Sequence, residues 1–136
     1  MPPVSSKKQY DAALTAVQRE LAMLRDRGRC QWCRKPGASD MSHIYGKGAH
    51  PALKHELDNV LMMHSACHHA GWHADWPASL AWFEKHFPRR FARLAERIHA
   101  ARGERSVPVD FYKDKLAAMR DELGKKKQEQ QQGVKR

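Results

Sequence analysis

Two short pairs of soft metal ligands, Cys30/Cys33 and His64/Cys67, bracket the middle of this chain. Cys30-Gln-Trp-Cys33 sets two thiolates on one turn, and His64-Ser-Ala-Cys67 supplies a matching pair. Zinc takes four Cys or His ligands in a tetrahedron and releases folding free energy that a small core lacks. The spacing therefore predicts a structural Zn²⁺ held by Cys30, Cys33, His64 and Cys67. The plainer alternative is a reduced Cys-x-x-Cys beside an unrelated buried Cys67. A thioredoxin-like redox pair would need a buried strand in front of it, and a charged helix stands there instead. His43 and Asn59 lie between the two pairs, and His68 follows Cys67 directly. These three polar residues are left for a second site, and catalysis is the expected use.

Helix geometry allows neighbours separate jobs. Successive residues point about 100° apart, so Cys67 can face the zinc while His68 faces a cleft. His73 is a further candidate ligand. Its five-residue spacing from His68 is poor on an ideal helix and suits His69 better, at four. Only a break at Gly71 would bring His68 and His73 together. Of the nine histidines, His50, His55, His86 and His99 are expected in solvent, with His50 and His55 as candidate phosphate contacts.

The elements that must hold these residues follow from periodicity. Residues Ser6 to Arg27 read as a helix, capped by Ser5 or Ser6 and ended by Gly28. Its seam of Tyr10, Leu14, Val17, Leu21 and Leu24 is a core face or a homodimer seam; three turns are short for a lone coiled coil. Pro36-Gly37 marks a turn, Asp40 to Tyr45 a short strand, and 46–51 a loop. Val60 to Met63 is a partner strand, and a helix from about Ala66 is frayed or bent at Gly71. Pro77 opens a helix through Phe87, and Pro88 opens another through about Arg102. Asp110 to Leu123 is the last helix, with Tyr112, Leu116, Met119 and Leu123 on one face. From Gly124 the chain is Lys, Gln and Glu with few apolar residues, which predicts a disordered basic tail.

Composition bounds the partners. A chain of 136 residues is one domain with a modest core. Three cysteines are too few and too odd for a disulfide framework. The start Met1-Pro2-Pro3-Val4-Ser5-Ser6-Lys7-Lys8 lacks a signal-peptide pattern, and no long apolar run occurs, so a cytoplasmic location without a membrane is expected. A net charge of +10 and a pI near 9.9 point to a polyanion, with nucleic acid first.

A finger of two strands and a helix, with His43 on the first strand, Asn59 in the connection and Cys67-His68 opening the helix, resembles the HNH nuclease superfamily (ββα-metal or His-Me finger). It is most similar to the zinc-bearing phage recombination type, NinG/Rap-like. The likeness covers Cys30 to about Phe87 and includes Trp76-Pro77 and Trp82-Phe83. His64 stands where that family usually has Cys, an acceptable exchange for zinc. The resemblance implies that His43 is the general base, that Asn59 holds the loop and orients His43 by a side-chain hydrogen bond, and that His68 binds a catalytic Mg²⁺ or Mn²⁺. Ser42 stands where the family often carries a metal-binding Asp or His. Asp40, two residues earlier on the same strand face, is the alternative ligand.

The fold expected is α+β and mostly helical: a zinc-stapled ββα-metal finger flanked by helices. Its divisions are an N-terminal helix (1–28), a zinc-bound nuclease core (29–87), a basic helical extension (88–123) and the tail (124–136). Lys47, Lys54, Arg89, Arg93 and Arg97 are candidate contacts to DNA, duplex or branched, through phosphates rather than bases. The function expected is a metal-dependent DNA endonuclease in phage DNA recombination or processing. A lapsed, zinc-stapled DNA-binding or recombination accessory, and a packaging or assembly partner, are the competing readings.

Overall fold

Ser6 and Gln9 start the first helix with a reciprocal capping box: the Gln9 amide donates to Ser6 Oγ at 3.1 Å, and the Ser6 amide donates to Gln9 Oε1 at 3.0 Å. Helix α1 then runs Lys7–Asp26. It stops where Arg27 and Gly28 both turn left-handed, with φ 57° and 67°. The Gly28 amide caps the Met23 carbonyl at 3.1 Å. In this computed structural model residues 4–46, 48–102 and 106–134 are described. Lys47, a proposed DNA contact, lies outside the described residues.

Strands β1 (Asp40–His43) and β2 (Val60–Met63) form an antiparallel pair in which Asp40 faces Met63 and His43 faces Val60. The first strand ends two residues before Tyr45, because the backbone of Tyr45 bonds the Asn59 side chain instead of a partner strand. All four residues of β2 are buried. After His64 the helix is not regular: Cys67–Gly71 is π-helical and Trp72–Ala74 a single tight turn. Helices α2 (Trp76–His86), α3 (Pro88–Ala100) and α4 (Val109–Val134) complete the order. The architecture is α+β and mostly helical, with one two-stranded sheet.

Two apolar clusters hold it. Val60, Leu61, Met62, Trp72, Phe83 and Leu94 belong to the first. Leu94 is on α3, so the core does not close at residue 87; α3 is part of it. In the second cluster, Leu14, Val17 and Leu21 of α1 pack with Tyr112, Leu116, Met119 and Leu123 of α4. The apolar seam of α1 is thus covered within the chain, which removes the reason for reading it as a dimer seam.

The expectation of a disordered tail is corrected, since α4 continues past Gly124 to Val134. Lys, Gln and Glu are strong helix formers, and extending a helix already anchored on α1 avoids the cost of nucleation. Lys125–Asp121 at 3.1 Å and Lys127–Glu20 at 3.7 Å add ion pairs along this stretch. Among the described residues no helix is long and apolar enough to cross a membrane.

Candidate metal centre and histidine cleft

Cys30, Cys33, His64 and Cys67 converge so that one ligand atom from each lies within 4.8 Å of the others. Ligand sulfurs about 2.3 Å from a tetrahedral zinc lie about 3.8 Å apart, so the set fits that ion. The two halves come from separate elements. Cys30 and Cys33 sit on a turn in which the Cys30 amide donates to the Lys35 carbonyl at 2.9 Å. His64 and Cys67 come from the end of β2 and the start of the irregular helix. His64 Nε2 lies 2.8 Å from the Pro36 carbonyl. A carbonyl only accepts, so that nitrogen carries the proton and Nδ1 is the ligand, 3.2 Å from Cys33 Sγ.

Thiol acidity in this cluster is uneven. Burial opposes ionisation of Cys30, but amide donors of Cys33, His64 and Trp32 outweigh it and bring the thiol down to about 7. Burial, then the thiols of Cys30 and Cys33, push Cys67 up to about 11. One thiolate here discourages the next, and a divalent cation is what lets all three ionise. The cluster can bind a structural zinc.

A second group lies beside it. His68 Nε2 and His73 Nε2 face each other at 2.9 Å, and His69 joins them as a third donor. The π-helical turn is the reason: its wider i to i+5 repeat aligns residues five apart, the spacing that an α-helix would separate. His68 Nδ1 donates to Asp40 Oδ2 at 3.1 Å, which leaves Nε2 with the lone pair. That hydrogen bond is also the leading cause that holds the Asp40 carboxyl below its ordinary value. Burial, then the charges that His68 and His69 can carry, lower the His73 pKa, which favours the neutral imidazole. Nitrogens about 2.1 Å from an ion and 90° apart lie about 3.0 Å from each other, so the pair fits a hexacoordinate divalent ion.

His43 lines the same open cleft as His68 and His73, a space of about 680 Å³. Its Nε2 donates to the Lys54 carbonyl at 3.0 Å, which places the lone pair on Nδ1. Asn59 is fully buried. Its Oδ1 accepts from the Tyr45 amide at 2.9 Å, and its Nδ2 donates to the carbonyls of Tyr45 and Leu53, both at 3.1 Å. It therefore pins the loop between the strands, and the loop presents the Lys54 carbonyl that holds His43.

The remaining expected site residues are placed differently from one another. Ser42 is fully buried, outside the cleft, with no hydrogen-bond partner for Oγ among the described residues. Asp40 lines the cleft with the histidines and reaches His68 and, at 3.6 Å, His69. Arg93 makes a two-pronged pair with Asp58 at 2.8 and 2.9 Å, Arg97 bonds the same carboxylate at 2.8 Å, and Lys54 pairs with Asp11 at 2.7 Å. All three cations are held in ion pairs within the fold. Arg89 is exposed. His55 is not in solvent: it is buried, with Nε2 3.0 Å from Asp11 Oδ1, and burial is the main cause that takes its pKa down to about 4.

Helix α1 contributes residues that spacing did not mark. Thr15 and Arg19 line the cleft, with Arg19 donating to the Ser39 carbonyl at 2.6 Å. Buried Gln18 donates to the carbonyls of Lys54 at 3.0 Å and Glu56 at 3.1 Å. The signal for Gln18 is its place on the apolar face, four residues after Leu14 and three before Leu21. Trp76 forms another wall of the cleft. No protein-family model matches the chain, and neither does any curated protein or solved structure, so the site is read from its own residues.

Proposed function

We propose that the chain is a metal-dependent DNA endonuclease of the HNH type, with phage DNA recombination or processing as the setting that the resemblance implies. The observation that carries this reading is one cleft lined by His43, His68 and His73, with the first two imidazoles oriented by fixed hydrogen bonds. His43 acts as general base: Nε2–H is held by the Lys54 carbonyl, and Nδ1 takes a proton from the water that attacks phosphorus. His68 and His73, with His69 beside them, would hold a divalent ion, and Asp40 fixes the His68 tautomer. When bound, that ion stabilises the charge developing on the phosphate and the leaving oxygen. The donors are imidazoles, and the nearest carboxylate, Asp40, accepts the His68 N–H. Imidazole suits Mn²⁺ or a later transition ion better than Mg²⁺, which prefers carboxylate and water oxygens.

The test is incubation of zinc-loaded protein with plasmid, linear and four-way-junction DNA, with Mn²⁺, Ni²⁺, Mg²⁺ or no added ion. The proposal expects cleavage that depends on the added ion and is strongest with Mn²⁺ or Ni²⁺. DNA binding without cleavage under every condition would favour a second reading, a zinc-stapled recombination accessory without nuclease chemistry. Ser42, fully buried and not part of the cleft lining, is the observation that favours it.

A further inference from the structure

Trp76 is 43% exposed, one of three large apolar side chains left in solvent among the described residues. The other two, Val109 and Phe111, are on the first turn of α4; Trp76 alone lines the histidine cleft. Its indole N–H donates to the Ile44 carbonyl at 3.0 Å, one residue from His43. Tyr45 meets it edge-on, with ring centroids 6.2 Å apart, and His50 backs Tyr45 at 5.5 Å. The ring is therefore fixed relative to the candidate base, its single polar group is satisfied, and what it offers to a ligand is a flat π-face.

Arg19 lines the same cleft from α1. Unlike Arg93, Arg97 and Lys54, it has no carboxylate partner among the described residues; its guanidinium rests on the Ser39 carbonyl. A cation without a counter-charge and a rigid aromatic face, flanking the same histidines, match the phosphate and base of one nucleotide. In a continuous duplex both faces of each base are already stacked on neighbours. A Trp face is covered only by a base that has left the stack.

Resting on the nuclease reading above, we propose that Trp76 stacks an unpaired nucleobase while Arg19 holds a phosphate beside it. The ligand of this site is then a nucleotide outside a continuous stack, as single-stranded DNA presents. Stacking on an aromatic residue, removed by alanine, weakens binding by roughly 5- to 150-fold. Loss of one phosphate contact lowers the salt dependence of log K by about one counterion.

The experiment measures fluorescence anisotropy of labelled oligothymidylate and of a duplex of equal length, using zinc-loaded protein with no other divalent ion. Wild type is expected to prefer the single strand and to show quenched tryptophan emission on binding. Trp76→Ala should lose at least fivefold on the single strand and little on the duplex, while Trp76→Phe, which also lacks the N–H bond, keeps most of the affinity. Arg19→Ala should flatten the salt slope. Equal losses on both DNAs, or no loss from Trp76→Ala in a variant with normal zinc content and melting, would overturn the proposal. Cleavage assays run in parallel separate the two ideas. Trp76-dependent single-strand binding without cleavage defeats the nuclease reading alone. Cleavage of duplex that ignores Trp76 defeats this inference alone.

Discussion

A Cβ on Gly71 would sit 2.8 Å from Trp32 Nε1, 3.1 Å from Cε2 and 3.4 Å from Cδ1. Ordinary contact begins near 3.5 Å, so Gly71→Ala forces a displacement of about 0.7 Å at the closest atom. Trp32 cannot supply it by swinging away. Its ring stands edge-on to Trp72 at 6.1 Å and lies against Trp82 at 4.8 Å, and its backbone belongs to the Cys30–Cys33 turn. The π-helical segment must move instead. Overpacking of this kind costs about 1–3 kcal/mol. The gain from replacing Gly by Ala in a helical backbone is about 0.4–1 kcal/mol. Overpacking wins, leaving a net loss of about 1–2 kcal/mol and a fall in Tm of roughly 5 °C for a chain of this size.

The same displacement reaches the histidines. Gly71 lies between His68 and His73, and a functional metal site tolerates about 0.2 Å of ligand error. Ni²⁺ affinity of the zinc-loaded variant should drop at least about tenfold, measured by titration calorimetry beside the melting curves. Adding Trp32→Phe to Gly71→Ala removes the indole nitrogen from the clash and should recover part of both losses, a coupling that a double-mutant cycle measures. If Gly71→Ala melts at or above the wild-type temperature and titrates Ni²⁺ normally, Trp32 does not shape the π-turn and the account of the histidine cluster falls with it.

Protein purified without added metal should carry one zinc per chain, and Cys33→Ser or chelation should unfold it; less than half an equivalent by elemental analysis, with melting indifferent to chelator, would exclude the zinc centre. His43→Ala should lower the cleavage rate by about 10²–10⁴-fold with little change in melting or DNA affinity, since Gln18 still donates to the Lys54 carbonyl; a variant that keeps most of its rate points to another base. His55 has a folded pKa of about 4 against an ordinary value near 6.5, so the unfolded chain takes up the proton first as pH falls. Its contribution is complete above pH 6.5 and lost progressively toward pH 4. Between pH 7.5 and 5.5 wild type should lose roughly 1 kcal/mol more stability in urea than His55→Gln, and parallel curves for the two proteins would refute the buried neutral imidazole.

Local chemistry made much of the scaffold legible. Cys30, Cys33, His64 and Cys67 declare themselves because ligand pairs need only short spacings, and the caps of α1 lie within four residues of its ends. The juxtaposition of His68 with His73 was conditional on a break at Gly71, and the π-turn supplies that break. What spacing could not show depends on distant partners. Arg93 and Arg97 read as a basic stripe on α3, yet Asp58, 35 and 39 residues away, pairs with both. His55 reads as one solvated histidine among nine, yet α1 and α4 close over it, with Tyr112 edge-on at 5.4 Å. The helical continuation beyond Gly124 also needs the anchor of α4 on α1, which a compositional reading of Lys, Gln and Glu does not contain.

The role of α1 follows from the same distinction. Its apolar seam suggests packing and nothing else, and packing on α4 is what Leu14, Val17 and Leu21 do. Gln18 breaks that seam, and its amide spans the two carbonyls of Lys54 and Glu56. The Lys54 carbonyl is also the acceptor that fixes His43. One helical turn therefore connects the second core to the tautomer of the candidate base, while the next residue, Arg19, presents its charge to the cleft. Burying an amide on an apolar face is costly unless it bonds what it meets. Here its NH2 bonds the loop whose position decides where His43 points, while Oε1 has no partner among the described residues, and Asn59 pins that loop from its other side. Helix α1, which precedes Cys30, thus helps build the cleft and gives the carbonyl that holds His43 a second support.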